Sequence, residues 1–243
     1  MPRIGRYEIQ GEIGRGAMGV VYLAHDPRLR RRVAVKTHTL PDGISSDLVR
    51  EFHERFLREA QAAASLSHPG IVTIFDAGED SALRLPFIAM EYVQGRSLKQ
   101  LLEKGDRLEP GWVFTFGAVL ADALHVAHQA GIIHRDIKPA NILLRGPDGA
   151  AKIADFGVAR LLTSDLTQSG ASLGSPAHMS PEQIRGGTLD GRSDLFSLAA
   201  VLYEALAGKR PFQGEDLASL VYSIAHETPI PIRRRVRSLP RTG

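Results

Sequence analysis

The chain has no cysteine, and one tryptophan among its 243 residues. Without thiols it can form neither a disulfide framework nor a thiolate metal site, and it fits a reducing compartment. Aromatic residues are scarce, at 6%. A nucleic-acid surface would interleave them with basic stripes, and no such pattern is seen. Long apolar runs are also lacking. No stretch approaches the roughly 20 apolar residues that span a bilayer, and the strongest candidate, "LFSLAAVLYEALAG", is short and contains Glu204. The opening "MPRIGRYEIQ" lacks the apolar run of a signal peptide. Excess positive charge is missing from most of the chain. The formal net charge is +3, but five arginines (Arg233, Arg234, Arg235, Arg237 and Arg241) crowd the end, and taking those five from +3 leaves −2. Basicity is therefore a tail property. No nucleic-acid partner and no membrane span are expected.

What is present is a globular balance, 43% hydrophobic and 23% charged, in a chain long enough for one large domain or two small lobes. "YEIQGEIG", "GVVYLAHD" and "RRVAVKTH" alternate or are β-branched and read as strands. "SDLVREFHERFLREAQAAASL" repeats apolar residues at three and four, a helix that Ser46 or Asp47 can cap. Two strands follow, "IVTIFDAGE" and "LPFIAMEYV". After Val93–Gly95 the pattern turns helical: "SLKQLLEKG", the long "PGWVFTFGAVLADALHVAHQAG", then "RSDLFSLAAVLYEALAG" and a weaker "EDLASLVYSIAHE". The short β-like pieces "NILL" and "AKIADFG" interrupt them.

Four motifs carry chemistry. Gly14-x-Gly16-x-x-Gly19 is followed by "VVYLA", a continuing strand. A dinucleotide-binding turn would need a helix there and an acidic residue about 20 positions on, where His38 and Leu40 stand instead. Glycines between antiparallel strands make a flap whose N–H groups can approach phosphates. In "VAVK", Val33 and Val35 share one face, and Ala34 and Lys36 the other. That suits a flat ligand beside an ammonium group, whose carboxylate partner could be Glu59, with Glu51 and Glu54 competing. In "HRDIKPAN", Asp136 can accept a hydroxyl proton, Lys138 can neutralise a phosphoryl group, and Asn141 can offer an oxygen to a divalent cation. "ADFG" adds Asp155 as a second oxygen ligand, a pair that suits Mg²⁺. His125 and His128 lack acidic or cysteine company and read as ordinary surface or core histidines.

Taken in order, "GRGAMGVV", "VAVK", Glu59, "HRDIKPAN", "DFG" and "SPEQ" resemble the serine/threonine protein kinases, most of all the bacterial eukaryotic-like (Hanks-type) members, over about residues 7 to 228. The resemblance implies an α+β, two-lobed kinase fold. Residues 1–93 would be an N-lobe of antiparallel sheet plus one helix, residues 94–228 a mostly helical C-lobe lacking its last helices, and residues 229–243 a basic, disordered tail. It further implies that Ile13, Gly14, Arg15, Gly16, Ala17, Met18 and Gly19 cover the phosphates of ATP. Lys36 would hold the α/β-phosphates and pair with Glu59. Val21, Ala34 and Leu143 would sandwich the adenine, Met90 would gate the back pocket, and Glu91 and Val93 would bond the adenine edge through backbone groups. Asp136 would orient the substrate hydroxyl with Lys138 beside it, while Asn141 and Asp155 would hold Mg²⁺, with Mn²⁺ as a substitute.

Arg135 before Asp136 implies control by loop phosphorylation, and Thr167 and Ser169 resemble the autophosphorylated pair of bacterial relatives, modified by the chain itself in trans. ATP and proteins with exposed Ser or Thr are the implied partners, and the cytoplasm the implied location. Ser175 stands in for the commoner Thr, His178 for Tyr and Ala199 for Gly. A helix beyond the end would supply an arginine for Glu182, so Glu182 is expected to lack its partner, and the apolar face around Leu195–Leu206 to be partly uncovered. The alternative function is a nucleotide-binding interaction module, a truncated or inactive kinase.

Overall fold

The alternating first forty residues build an antiparallel sheet. The computed structural model describes residues 2–16, 19–38, 46–105, 108–145, 150–156, 176–237 and 239. These fall into two compact units: Met1–Ser67, Val72–Val93 and Phe156–Leu161 form the first, and His68–Ile71, Gln94–Asp155 and Leu162–Gly243 the second.

The first unit is a sheet of six strands: β1 (Arg3–Ile4), β2 (Tyr7–Gly16), β3 (Gly19–Asp26), β4 (Arg31–His38), β5 (Ile74–Asp80) and β6 (Leu85–Glu91), in the order β1-β2-β3-β4-β6-β5. Every neighbouring pair is antiparallel. The period of two sorts the residues by face. Ile4, Tyr7, Ala24, Val33, Val35, Phe87 and Ala89 form one buried cluster. The register pairs Val21 with Lys36 and Leu23 with Ala34, then Lys36 with Ile88 and Ala34 with Met90, so these side chains share the opposite face. One helix, α1 (Ser46–Ala64), belongs to this unit. It buries Phe56, Ala60 and Ala63, spaced four and three apart. Phe56 meets the ring of His38 edge-on at 5.0 Å. His38 lies two residues beyond Lys36, so α1 covers the face that carries Lys36.

The second unit is mostly helical: α2 (Leu98–Leu102), α3 (Pro110–Gln129), α4 (Pro181–Ile184), α5 (Gly191–Ala207), α6 (Leu217–His226) and α7 (Ile232–Arg235). Short strands β7 (Arg96–Ser97), β8 (Ile142–Leu144) and β9 (Ala151–Ile153) form a small antiparallel sheet. Its core is α3 against α5, burying Phe116, Leu120 and Leu124 of one and Leu198, Val201 and Ala205 of the other. Gly117 lets the two helices meet: a Cβ there would lie 3.0 Å from Leu202 Cδ1. Asp190 caps the start of α5 by accepting the Arg192 N–H. Gly208, at φ 65°, ends the helix in the left-handed conformation glycine adopts freely.

Three expectations need correction. The strand expected from Ile71 begins at Ile74, because Ile71 instead bridges Ile153 and belongs with the second unit. By length and composition α3 is apolar enough to cross a membrane, whereas the sequence was read as holding no stretch that approaches that length. Its apolar residues are used in the core of its own unit, against α5. Finally, the tail expected to be disordered contains α7. The Tyr203 hydroxyl donates to the Ile230 carbonyl at 2.8 Å and accepts from Arg235 Nε at 3.0 Å.

Candidate functional site

The groups singled out from sequence lie in both units. In the first, β2 and β3 present the glycine motif. A Cβ on Gly16 would meet nothing within 4 Å, and one on Gly14 only Val21 Cβ at 3.9 Å, so open space lies over both. Gly19 differs. At φ 143° a Cβ there would fall 1.8 Å from the Thr37 carbonyl oxygen, so this glycine is demanded by the packing of β3 on β4. Ile13 is exposed, and Arg15 pairs with Glu12 through two nitrogens. Ala17 and Met18 lie outside the described residues.

Lys36 is buried on the central strand, 8% exposed, on the face of Val21, Ala34 and Met90. Of the three carboxylates that could serve it, Glu51 and Glu54 are exposed and Glu51 is paired with Arg55. Glu59 is half-buried, its Oε2 shut off from solvent, one turn from Phe56 on the helix face that packs on the sheet. The Glu91 N–H donates to the Thr73 carbonyl at 2.8 Å, so it is not the group that meets an adenine edge. Val93 is half-buried at the end of this unit.

In the second unit, "HRDIKPAN" forms a tight hydrogen-bonded loop. His134 is buried, and its Nδ1 accepts the Asp136 N–H at 3.2 Å. Its Nε2 therefore carries the proton and donates to the Ala154 carbonyl at 2.9 Å, so the ring acts as a neutral peg. Asp136 Oδ2 receives Lys138 Nζ at 2.7 Å and Asn141 Nδ2 at 3.0 Å. The same Asn141 nitrogen donates to the Asp136 carbonyl at 2.8 Å. With both bonds made by nitrogen, the Asn141 amide turns its oxygen away from Asp136. The Asn141 backbone carbonyl accepts the Ala154 N–H at 2.9 Å, which ties the loop to the residue before Asp155. Asp155 adopts φ 66° and Arg135 φ 67°, left-handed positions that side-chain-bearing residues hold only under constraint. Leu143 is half-buried on β8. Thr167, Ser169 and Ser175 lie outside the described residues.

The constraint on Arg135 comes from two residues the sequence reading did not single out. Asp194, 1% exposed near the start of α5, accepts the Arg135 N–H on Oδ1 at 2.7 Å and the His134 N–H on Oδ2 at 2.8 Å. His128 Nε2 meets the same Oδ2 at 2.8 Å, so this histidine anchors the loop support. Gln183 Nε2 donates to the Arg135 carbonyl at 2.7 Å. The available signal for Asp194 was an acidic residue one turn inside the helix, just before its apolar run.

Two departures find local partners. Glu182, expected to lack one, accepts the Ser193 hydroxyl. Burial pushes its pKa up, but the bonds from Ser193, its own backbone and Ser180 outweigh burial and hold it below the usual glutamate value. His178 is buried, with Nε2 2.6 Å from Glu204 Oε2. The α5 face is uncovered at Leu195, 47% exposed, while Leu198 and Val201 are buried.

The oxygen donors match a hard cation: Asn141 through its amide oxygen and Asp155 through its carboxylate. Among the described residues no cluster of three or more His, Cys, Asp or Glu forms another metal site.

The chain is similar to known proteins. The chain is 44% identical over 236 residues to the serine/threonine-protein kinase PknB of Mycobacterium leprae, covering 95% of this chain and 37% of that protein. Against PknB of Mycobacterium tuberculosis it is 43% identical over 241 residues, covering 96% of this chain and 37% of the relative. The chain thus spans little more than a third of the length of these curated relatives. Among solved structures, the PknI kinase domain of Mycobacterium tuberculosis superposes with a TM-score of 0.68 at 31% identity, over 92% of this chain and 85% of that one. A double mutant of the same domain gives 0.73 at 29% identity, over 96% and 83%. Both units thus build the two-lobed kinase fold. With residues 7–240 matched by the protein kinase domain, the chain belongs to the protein kinase family.

Proposed function

We propose that this chain is an ATP-dependent serine/threonine kinase that transfers the γ-phosphoryl group to protein hydroxyls. The observation that carries the proposal is the state of Asp136. Lys138 and Asn141 both sit on Oδ2, within 2.7 and 3.0 Å, which leaves Oδ1 to receive the hydroxyl of a substrate. Phosphoryl transfer needs little covalent help from protein; positioning and charge neutralisation supply most of the rate.

Each residue then has a role. Gly14 and Gly16, with open space above them, let backbone N–H groups approach phosphates, and Gly19 sets the hairpin that carries them. Lys36, buried beside a sheltered face of small and apolar residues, holds the α/β-phosphates with Glu59 orienting it. Val21, Ala34 and Leu143 flank the base, Met90 closes the back of its pocket, and the Glu91 carbonyl and Val93 backbone meet its edge. Lys138 neutralises the phosphoryl group as it moves. Asn141 and Asp155 would hold Mg²⁺, which when bound supplies charge neutralisation at the phosphate oxygens. The names of the relatives support serine and threonine as acceptors. Thr167 and Ser169 are assigned as sites the kinase modifies on a second copy of itself, and the cytoplasm, which supplies ATP, as its place of work.

The test is transfer of labelled γ-phosphate from ATP by wild type and by Asp136→Asn. Wild type should label Ser or Thr, and the variant should lose about 10²- to 10⁴-fold in kcat while ATP still raises its Tm. Thermal stabilisation of wild type by ATP with no transfer would overturn the kinase reading in favour of a nucleotide-binding module.

A further inference from the structure

Gln183, in the four-residue helix α4, makes two kinds of hydrogen bond with the two ends of its amide. Its Oε1 accepts the Ser180 N–H at 2.8 Å, one half of a capping box in which Ser180 Oγ accepts the Gln183 N–H at 3.4 Å. Its Nε2 donates to the Arg135 carbonyl at 2.7 Å, across 48 positions of sequence. The chemistry settles the amide orientation, because a flipped amide would set donor against donor at Ser180 and acceptor against acceptor at Arg135.

The receiving carbonyl matters. Arg135 is left-handed at φ 67°, and its N–H is held by Asp194 Oδ1 at 2.7 Å. The peptide that follows its carbonyl is the one that begins Asp136. Asp194 thus grips this residue from the N–H side and Gln183 from the C=O side. With both grips in place the backbone entering Asp136 cannot rotate without breaking a hydrogen bond. With the Gln183 bond released, the peptide between Arg135 and Asp136 is held only through the Asp136 N–H on His134 Nδ1, at 3.2 Å, and its carbonyl can swing to relieve the strain at Arg135.

We propose that Gln183 is a positioning residue. Its bond to the Arg135 carbonyl fixes the peptide that aims the Asp136 carboxylate, and so couples the placement of α4 to catalytic competence. This deepens the kinase reading above and rests on it.

Glutamate at this position separates the two bonds. It keeps an oxygen for the Ser180 N–H, since Ser-x-x-Glu is itself a capping box, but it sets a second oxygen against the Arg135 carbonyl. Gln183→Glu should therefore fold as wild type does, with kcat about tenfold lower, KM for ATP within about twofold, and faster amide hydrogen exchange across residues 134–138. Gln183→Met, which has neither bond at similar volume, should show the same kcat loss and the same faster exchange. Both effects are required. A kcat within about twofold of wild type in both variants would reduce the contact to packing. A kcat loss with unchanged exchange at 134–138 would show that the loss does not pass through Arg135; either result overturns the proposal. A wild-type protein that transfers no phosphate defeats the kinase reading by itself, and unchanged exchange in Gln183→Glu would still separately overturn the bridge.

Discussion

Asp194 holds Arg135 by its backbone: a carboxylate oxygen accepts the Arg135 N–H at 2.7 Å, 59 residues away in sequence. Its other oxygen takes the His134 N–H and the His128 ring. A buried carboxylate is thus spread over three donors, and a left-handed non-glycine residue beside Asp136 is kept in place. Asp194→Ala removes all three bonds at once. Each N–H left unpaired is worth about 1–3 kcal/mol, so unfolding free energy should fall by about 3 kcal/mol or more, with transfer lost. Urea unfolding reads this directly, and a change of less than about 1 kcal/mol would show that water replaces the carboxylate without penalty.

The glycines of the flap should separate by phenotype. Gly19→Ala places a methyl carbon on the Thr37 carbonyl and must displace β3 from β4, which is expected to destabilise the fold by about 2 kcal/mol or more. Gly16→Ala meets open space and should leave Tm unchanged while raising KM for ATP. Equal Tm values for the two variants would contradict the register of β3 on β4.

Chelation of divalent cations by EDTA should abolish transfer, and added Mg²⁺ should restore it. Asn141→Ala should need about tenfold more Mg²⁺ for half-maximal rate, because it loses one oxygen donor and leaves Lys138 alone to hold Asp136 Oδ2. An unchanged Mg²⁺ requirement would remove Asn141 from the cation site.

Acid should act partly through Glu204. Burial raises its pKa, but the His178 hydrogen bond and charge, with Arg210 3.5 Å away, outweigh burial and hold it below its ordinary 4.5. The folded chain then binds fewer protons than the unfolded chain across this window, so stability rises with pH there. The contribution is fully present above the unfolded value of about 4.5 and is lost as pH falls through the lower folded value. Urea midpoints taken from about pH 6 down to about pH 3 should fall less steeply in Glu204→Gln than in wild type. Parallel slopes would mean that His178 and Glu204 do not interact in solution.

Much of this chain was legible in its order of residues because the relevant physics is local. The period of two in "RRVAVKTH" put Lys36 and Ala34 on one face, and the register of β4 with β3 and β6 puts them there. The spacing of Phe56, Ala60 and Ala63 produced the buried side of α1. Within "HRDIKPAN" the closeness of Asp136, Lys138 and Asn141 follows from eight residues of chain and a turn beginning at Pro139. Less was legible where an apolar pattern has two uses. The residues of α3 satisfy the composition of a membrane span and of a core helix alike, and no local pattern foretells that Leu202 of α5 packs on Gly117. The arginine-rich end reads as solvated charge until Tyr203 offers Ile230 and Arg235 a hydroxyl.

By itself the sequence determined which segments are strands or helices and which charged groups stand together on one short loop, since backbone sterics, periodicity and spacing act over a few residues. Only the tertiary structure decided that Gly19 is required by Thr37, that Glu182 rests on Ser193, and that Arg135 is held between Asp194 and Gln183. Those pairings join residues far apart in the chain. Burial makes them binding: a polar group withdrawn from water takes whichever partner packing brings within about 3 Å, and no local pattern names that partner in advance.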